Sequence, residues 1–285
     1  MMKKIFPLVP VFALAPAAVR LLLLISCGKT TTGSGTVVRS FTAPNPATEG
    51  ALLIRQVDNW GGGDSVVTAF QYDSGRLLSA VHSTGTLPYD TYYYRDNQGR
   101  ITESLNIQEN DSDIVQVWYA STSSGIISYT IEQSGPTFRD SAVYTYNQDH
   151  YPISIASYTT APVQFSGIDS FSWETGGNLT RLQSFIPDAN GQLSLNIGYD
   201  FTYDNDINPL FSYDDSRLPV EWYTSASPNN LLVQTNHYGT PLLPDNDVTV
   251  TYQYRSDKKP ASSARGGTAI SVNGNPVVQT TYYYQ

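Results

Sequence analysis

The sequence is poor in cysteine: Cys27 is the only one among 285 residues, so no disulfide can form within the chain. Charged residues are also few, at 14%, and 16 bases against 25 acids give a formal charge of −9. Because phosphate backbones repel an acidic surface, this composition argues against nucleic acid as a partner. The hydrophobic share of 40% argues against a disordered chain.

The motifs of common enzymes and cofactor sites are missing as well. No P-loop, dinucleotide fingerprint or Gly-x-Ser-x-Gly elbow occurs in the chain. The three histidines, His82, His150 and His237, are far apart, and no second cysteine is available to complete a zinc site. We therefore predict a non-enzymatic protein that needs no metal and no cofactor.

Acidic side chains leave two alternatives open. Oxygen-rich clusters suit Ca²⁺, although Asp and Asn are also ordinary turn residues, which is the interpretation we favour. A polymer hydrolase would need two carboxylates about 5–9.5 Å apart, and glutamates near aromatic residues are its candidates. The clusters are 111–113, 204–206, 214–215 and 245–247, and the glutamates are Glu103, Glu132, Glu174 and Glu221.

The N-terminus has the plan of a secretory signal. A basic start and a mostly apolar stretch lead to Leu24-Ile25-Ser26-Cys27, which resembles the lipobox of bacterial lipoproteins. In that family a diacylglycerol is attached to the cysteine and the chain is cut just before it. The resemblance implies a signal peptide over 1–26 and a lipid on Cys27. Arg20 and three prolines interrupt the apolar stretch, which argues against a spanning helix.

Residues 27–48 comprise the lipidated cysteine and a small, polar, proline-containing segment with the composition of a flexible linker. A linker of this kind would hold the following domain a few nanometres from a bilayer. We therefore expect a cell-envelope protein that is lipid-anchored to the outer membrane through Cys27. Its position on the periplasmic or the surface face stays open, and a glycan or an envelope protein is the candidate partner.

The sequence pattern of residues 49–285 predicts an all-β domain. Apolar and polar residues alternate, most regularly over 248–255, and the 21 tyrosines suit a pleated, half-buried surface. Turn residues recur at the spacing of hairpins, which predicts an antiparallel hairpin meander of about 12–16 strands. We expect a large twisted sheet or a partly closed barrel, with a short helix or a long loop within 205–230.

One short pattern recurs six times: an aromatic residue that we expect on the core face, a polar turn, and an apolar residue that opens the next strand. Tyr72-Asp73-Ser74-Gly75-Arg76-Leu77 and Gly99-Arg100-Ile101 resemble the YD repeats of Rhs-type proteins, which wind into β shells. The stretch from about residue 50 onward is more similar to a family of envelope lipoproteins with a β-rich domain of unknown function, a resemblance that brings no catalytic residue. The copies span 72–77, 94–101, 146–153, 173–179, 203–210 and 254–260.

Consecutive aromatic residues place rings on both faces of a strand, so one ring faces the core and the next faces outward. Outward rings either stack on a ligand such as a glycan or stabilise the sheet through cross-strand pairs, and we favour the second interpretation. The function predicted is a membrane-anchored binding or scaffold module. A glycan-binding module is the alternative, and a polymer hydrolase is a weaker one. The stacking candidates are Tyr92, Tyr94, Trp118 and Tyr283.

The lipid anchor gives a first testable prediction. We expect wild-type protein to incorporate radiolabelled palmitate and Cys27→Ala to incorporate none, because the thiol carries the lipid. The mature wild-type protein should also begin at Cys27. Equal labelling of the two proteins, or a mature chain that keeps residues 1–26, would show that the anchor prediction is wrong.

Overall fold

The chain divides into two units, Met1–Ser40 and Phe41–Gln285, and the described residues all belong to the second. In the computed structural model, these are residues 51–61, 64–74, 77–85, 88–108, 114–122, 126–134, 138–160, 162–212, 227–239, 246–267 and 278–285. The predicted signal peptide, Cys27 and the predicted linker therefore lie outside the described residues. The acidic clusters 111–113 and 214–215 also lie outside them.

Sixteen strands make up most of the described structure. The first eight are β1 (Leu53–Gly61), β2 (Asp64–Tyr72), β3 (Leu78–Thr84), β4 (Tyr89–Arg95), β5 (Ile101–Gln108), β6 (Ile114–Ser121), β7 (Ile127–Ser134) and β8 (Phe138–Tyr146). The second eight are β9 (Pro152–Thr160), β10 (Val163–Trp173), β11 (Leu179–Pro187), β12 (Leu193–Ile207), β13 (Asn229–Tyr238), β14 (Asn246–Tyr254), β15 (Pro260–Gly267) and β16 (Val278–Tyr284). A 3-10 helix, Pro209–Ser212, follows β12. Among the described residues, no helix is long and apolar enough to cross a bilayer.

The strands form one closed barrel. Each strand pairs antiparallel with its sequence neighbours, and β1 pairs with β16 to complete the circle. This confirms the predicted all-β hairpin meander, and the closure is complete rather than partial. Closure leaves no sheet edge with unpaired backbone groups. The short helix expected within 205–230 is confirmed at Pro209–Ser212.

Side chains alternate between the interior and the exterior of the barrel. In β14, Val248 and Val250 are buried while Thr249 and Thr251 are exposed. The register of strand pairing then shows which residues of the neighbouring strands face the interior, because residues that pair across two strands share a face. This alternation explains why the strands read as period-2 patterns in the sequence.

Hairpins at one end of the barrel share a single turn geometry. The backbone N–H of the first turn residue donates to the carbonyl oxygen four residues further on. In the copy at Asp96 the carboxylate also accepts from the N–H groups of Gln98 and Arg100. In the four turns whose residues are all described, the fourth residue has positive φ, 77° at Gly99, which glycine adopts without strain. The turns of this end begin at Asp73, Asp96, Thr122, Asn147, Glu174 and Arg255.

One copy of the repeat is shifted by a residue. Arg95, and not Tyr94, directly precedes the turn at Asp96, and its guanidinium donates to the carbonyl oxygens of Leu78 at 3.0 Å and Gly99 at 3.1 Å. Tyr94 points outward and is 48% exposed, so the expected core position of this aromatic is wrong. Tyr72, Tyr146 and Trp173 pack on the core as expected.

The barrel interior behind these turns is apolar, and we call this the apolar end. The first residue of the strand after each turn is buried, and Leu179 is completely inaccessible. Phe171, Leu182 and Phe201 form a further layer. Burial of this many side chains supplies the hydrophobic stabilisation of the domain. The first layer consists of Leu53, Leu78, Ile101, Ile127, Pro152, Leu179 and Pro260.

The connection from β12 to β13 starts by folding into the barrel. Leu210 of the 3-10 helix packs against Leu78 and Val81 on β3, which lies on the opposite wall. Asn208 holds the start of the connection, since its N–H donates to the Pro228 carbonyl at 2.9 Å and its side-chain oxygen accepts from the Leu210 N–H at 3.0 Å. The connection thus fills the apolar end and links two distant walls.

The outer face differs between the two halves of the barrel. Outward positions of β14, β15, β16 and β1 carry mainly Thr, Gln, Ser and Arg side chains, which suit contact with water. Register neighbours on β6 to β12 instead form an apolar row across seven strands. The row consists of Ala120, Tyr129, Val143, Ala156, Ile168, Phe185 and Leu195.

A buried lysine reinforces the closing strand pair at the apolar end. Lys259 is 5% exposed, its ammonium donates to the Ala51 carbonyl, and it lies 5.7 Å from the centre of the Tyr284 ring. Leu52 and Gln285 exchange two backbone hydrogen bonds of 3.1 and 2.9 Å beside it. Lys259 therefore connects the β14–β15 turn to both ends of the domain.

We expect Lys259→Met to destabilise the barrel by about 1.5–3 kcal/mol, because a hydrogen bond from a charged group is lost at a buried site. For a domain of this size that lowers Tm by roughly 3–12 °C. The neighbouring, exposed Lys258→Met removes the same charge and is the matched control, with little expected change. Thermal unfolding followed by circular dichroism measures both, and equal Tm values for the two variants would contradict the role of Lys259.

Candidate functional site

The interior at the other end of the barrel is polar, and we call this the polar end. Inward positions there carry carboxylates, amides, hydroxyls and one guanidinium, with the buried valines Val117, Val248, Val250 and Val278 between them. Since buried polar groups are costly unless they are paired, an interior of this kind points to a role other than packing. The main inward groups are Gln56, Asp58, Asn106, Glu132, Asp140, Asp169, Tyr199, Gln234, Asn236, Arg265 and Tyr282.

Two carboxylates face each other on adjacent strands of this interior. Glu132 on β7 and Asp140 on β8 are register partners, so their Cβ atoms are about 5 Å apart. Burial raises the pKa of Glu132, and the charge of Asp140 adds to the effect. Burial also raises the pKa of Asp140, whose Oδ1 is inaccessible and accepts no hydrogen bond. The pair therefore favours a bound proton or a positively charged group.

A third inward carboxylate, Asp169, lies on β10. Burial raises its pKa, and a hydrogen bond with Ser184 opposes that shift. Among the described residues, no group of three histidine, cysteine or acidic side chains is arranged to hold a metal ion. The three acids therefore give the β7–β10 wall a negative potential without forming a metal centre.

The glutamates proposed from sequence separate in the structure. Glu132 gains a carboxylate neighbour, whereas Glu103 faces outward and accepts a hydrogen bond from Gln116. Glu174 lies in a turn and binds the side chain of Asn178. Glu221 is outside the described residues. Sequence reasoning missed Asp140 and Asp169, although their alternation with the inward aromatics Tyr144 and Phe171 is a signal that would have placed both inside.

Tyrosines line much of the interior as neutral phenols. Burial raises the pKa of Tyr144 to about 12, although its hydrogen bond with Thr130 opposes that shift. Burial likewise raises the pKa of Tyr282 to about 12, and its hydroxyl lies 3.1 Å from the Ser263 hydroxyl. These groups act as hydrogen-bond donors and ring surfaces at neutral pH, not as bases.

An arginine and a tryptophan meet inside the barrel where it closes. Arg265 on β15 pairs with Val250 and Val278, which are both buried, so its side chain faces the interior. Its Cζ lies 5.7 Å from the centre of the Trp60 ring on β1, and Trp60 is 48% exposed. The Nε of Arg265 is inaccessible and has no hydrogen-bond partner.

Asp58 lies on the same face of β1 as Trp60, two residues away. Its carboxylate accepts hydrogen bonds from the Thr280 hydroxyl at 2.6 Å and from the Gln56 amide at 2.9 Å. These contacts join β1 to β16 inside the barrel. The site thus combines an indole ring, a guanidinium and a fixed carboxylate, none of which a single sequence segment supplies.

The four stacking candidates all lie on the outer face, which is convex. Tyr92 and Tyr94 are on β4, and Trp118 is on β6. Glu103 on β5, the strand between them, pairs in register with both Tyr94 and Trp118. Tyr283 lies on β16 and is separated from β4 by three strands. The structure therefore brings three of the candidates together and leaves the fourth apart.

Charged or aromatic side chains accompany three of these outer rings. Arg139 lies 5.7 Å from the centre of the Trp118 ring, and Arg55 lies 5.1 Å from that of Tyr283. Tyr92 makes an edge contact of 5.7 Å with the His82 ring. These are cross-strand contacts of the stabilising kind, and ligand stacking on the outer face stays a prediction.

The histidines have structural partners. His82 lies 2.8 Å from the Asp90 carboxylate, and His237 lies 3.1 Å from that of Asp200, both on the outer face. His150 takes the positive-φ position of its turn, at 64°. The three histidines are thus far apart in space as well as in sequence.

Two of the acidic clusters are described in part or in full. In 204–206, Asp204 accepts from the Asn230 N–H at 3.0 Å and from the Tyr254 hydroxyl, which ties β12 to its neighbours. In 245–247, the side chain of Asn246 accepts from that of Asn236 at 2.6 Å. Both contacts are those of turn and strand-end residues.

No family model and no curated protein matches this chain, so the lipoprotein family resemblance stays a prediction. Solved structures do match. A porin-like protein from Bacteroides uniformis is 12% identical over 82% of this chain and 98% of that chain, with a TM-score of 0.55. A porin-like protein from Bacteroides vulgatus is 13% identical over 83% of this chain and 99% of that chain, with a TM-score of 0.50. At this identity, the likeness concerns the fold.

A third similar structure contains the Tc toxin components TcdB2 and TccC3 with Cdc42. It is 13% identical over 78% of this chain and 14% of that chain. The TM-score is 0.31, which is too low to support an argument about shared architecture. The resemblance to YD repeats therefore still depends on the turn motifs themselves.

The opposed carboxylates predict an unusual pH dependence. Burial raises the folded-state pKa of Glu132. The contribution of this side chain to the free energy of unfolding is therefore complete below its unfolded-state pKa near 4, and it is lost as pH rises through the folded-state pKa. We expect Glu132→Gln to raise Tm at pH 7 by about 0.4–4 °C, since like charges across a strand pair cost roughly 0.2–1 kcal/mol. The gain should shrink toward pH 4.

Glu103→Gln is the matched control, because it removes one glutamate from the outer face of a nearby strand. Thermal unfolding between pH 4 and pH 8 compares the two variants with wild type. A pH-independent effect of Glu132→Gln, or the same gain in Glu103→Gln, would show that the inner pair is not strained by its charge.

Proposed function

We propose that this protein is a lipid-anchored, non-enzymatic binding module of the bacterial cell envelope, and that its polar end holds a hydrophilic ligand. The observation that carries the proposal is the contrast between the two ends of one closed interior. Buried aliphatic and aromatic side chains predominate at the apolar end, whereas ionisable and amide groups predominate at the polar end. Ligand sites commonly combine such groups with aromatic walls in a concave surface.

The cost of the polar interior supports a binding role. Asp140 keeps an inaccessible oxygen without a hydrogen bond, and Arg265 keeps an inaccessible nitrogen without one. A buried group left unpaired costs about 1–3 kcal/mol, and a barrel that served only as a scaffold would gain stability by replacing it. Groups of this kind are typical of binding and catalytic sites.

One observation favours a second candidate function, a hydrolase acting on an envelope polymer. A retaining glycosidase places its two carboxyl groups about 5–5.5 Å apart, and Glu132 and Asp140 are register partners whose Cβ atoms are about 5 Å apart. Burial raises the pKa of both carboxyl groups, and the charge of Asp140 adds to the shift of Glu132. Hydrolysis needs one carboxyl protonated and one ionised, which a coupled pair supplies.

A glycan array probed with the purified full chain tests the proposal. We expect binding to at least one glycan, and we expect inner variants Asp58→Asn and Asp140→Asn to lower that signal about tenfold, the effect of losing one hydrogen bond to a charged group. Tyr94→Ala and Trp118→Ala on the outer face are the controls and should retain the signal.

The possible outcomes distinguish the candidate sites and functions. Loss of signal in the outer variants alone would move the site to the outer aromatics. Shortening of a bound glycan, abolished by Glu132→Gln, would favour the hydrolase. Failure to bind any glycan, with the protein folded, would overturn the proposed function.

A further inference from the structure

We propose that Trp60 and Arg265 form a subsite for a carboxylated sugar ring inside the polar end. This inference rests on the proposed function and specifies the ligand class. The indole ring would carry the apolar face of the sugar, and the guanidinium would bind its carboxylate. None of the residues singled out from sequence belongs to this subsite.

The two side chains meet because of the barrel's closure. Arg265 on β15 pairs with Val278 on β16, and Asn59 on β1 pairs with Gln279. Trp60 follows Asn59 and therefore lies beside Val278 on the inner face. The Arg265 Cζ to Trp60 ring-centre distance of 5.7 Å confirms that the two side chains face each other across β16.

The guanidinium has unused hydrogen-bonding capacity. Its Nε is inaccessible to solvent and has no hydrogen-bond partner. Guanidinium groups present their donors in a planar fork that fits the two oxygens of a carboxylate. Because solvent does not reach the Nε, a ligand carboxylate would bind the terminal Nη groups of this fork.

The indole ring supplies the second element. Trp60 is 48% exposed although it points into the barrel, so much of its ring stays free to accept a flat apolar surface. Exposed aromatic rings that lie in concave sites commonly act as such surfaces. A ring with a guanidinium beside it suits a ligand that is apolar on its face and anionic at its edge.

Asp58 explains why a sugar acid fits better than a simple anion. Its carboxylate lies on the same face of β1 as Trp60 and is held by the Thr280 hydroxyl and the Gln56 amide. A fixed negative charge repels phosphate or another small anion, yet it accepts hydrogen bonds from sugar hydroxyls. The subsite therefore selects a sugar ring that carries both hydroxyl groups and one carboxylate.

The outer face provides a matched pair for comparison. Arg139 and Trp118 also lie 5.7 Å apart, on the outer surface. That pair has the same chemistry and a neighbouring carboxylate, Glu103, but stands on a convex face. If Arg265 and Trp60 served only to stabilise strand packing, the two pairs would behave alike.

Isothermal titration calorimetry with the purified full chain tests this subsite. The probes are a tetrasaccharide of galacturonic acid and its carboxyl-reduced counterpart, which keeps the ring and hydroxyls but lacks the charge. We expect wild type to bind the carboxylated probe at least about tenfold more tightly, the effect of a charge-assisted hydrogen bond. Arg265→Gln should bring the ratio of the two affinities close to one.

The variants separate the two parts of the subsite. Trp60→Ala should weaken both probes to a similar degree, whereas Trp60→Phe keeps a ring and should retain most of the binding. Arg139→Gln and Trp118→Ala, on the outer face, should change neither affinity. Circular dichroism of every variant verifies that it is folded.

Three results would overturn the inference: equal affinity of wild type for both probes, no binding of either probe, or an unchanged ratio in Arg265→Gln. These results are distinct from failure of the proposed function. A chain that binds neutral glycans through Asp58 or Asp140, yet shows no preference for the carboxylated probe, keeps the proposed function and loses only this subsite.

Discussion

The pairing of β1 with β16 is the contact on which the rest of the structure depends. It joins the two ends of the domain, so every strand has two neighbours and no edge stays open. Closure also creates a single interior with fixed inward positions. The arginine and the tryptophan of the proposed subsite stand on either side of β16 and meet only because that strand is paired with β1.

The repeated turns explain why this interior has two chemically different ends. Each repeat adds a hairpin of two strands, so its aromatic and apolar residues always return to the same end of the barrel. Leu53, Leu179 and the intervening apolar residues thus collect in one layer. At the other end the β11–β12 turn at Asp188 has the same geometry, but Pro187 rather than an aromatic residue precedes it, and carboxylates, amides and Arg265 line the interior there. A regular sequence pattern therefore stabilises one end and leaves the other available for binding.

Local patterns in the sequence predicted most of the fold. Period-2 alternation identified the strands, because side-chain direction in a strand depends only on parity. Closure was not predictable in the same way, since no local signal brings Leu53 to Tyr284. The shift at Arg95 was missed because an arginine that donates to two carbonyls replaces an aromatic without changing the turn.

The candidate site was harder to predict than the fold for a related reason. Glu132 was recognised as a candidate, but its neighbour Asp140 is known only from the register of β7 and β8. The outer aromatic residues were identified as candidates for ligand stacking because they lie in runs of consecutive aromatic residues. The inner pair of Trp60 and Arg265 comes from opposite ends of the domain, so only the three-dimensional closure of the barrel reveals it.

A disulfide across the closing strands tests this account most directly. Val57 and Thr281 are outward register partners on β1 and β16, at a spacing that suits a disulfide. We expect Val57→Cys with Thr281→Cys, in a Cys27→Ser background, to form an intramolecular disulfide on mild oxidation, with unchanged or raised Tm. Free thiols that stay reduced, or disulfides that form only between molecules, would contradict a closed barrel.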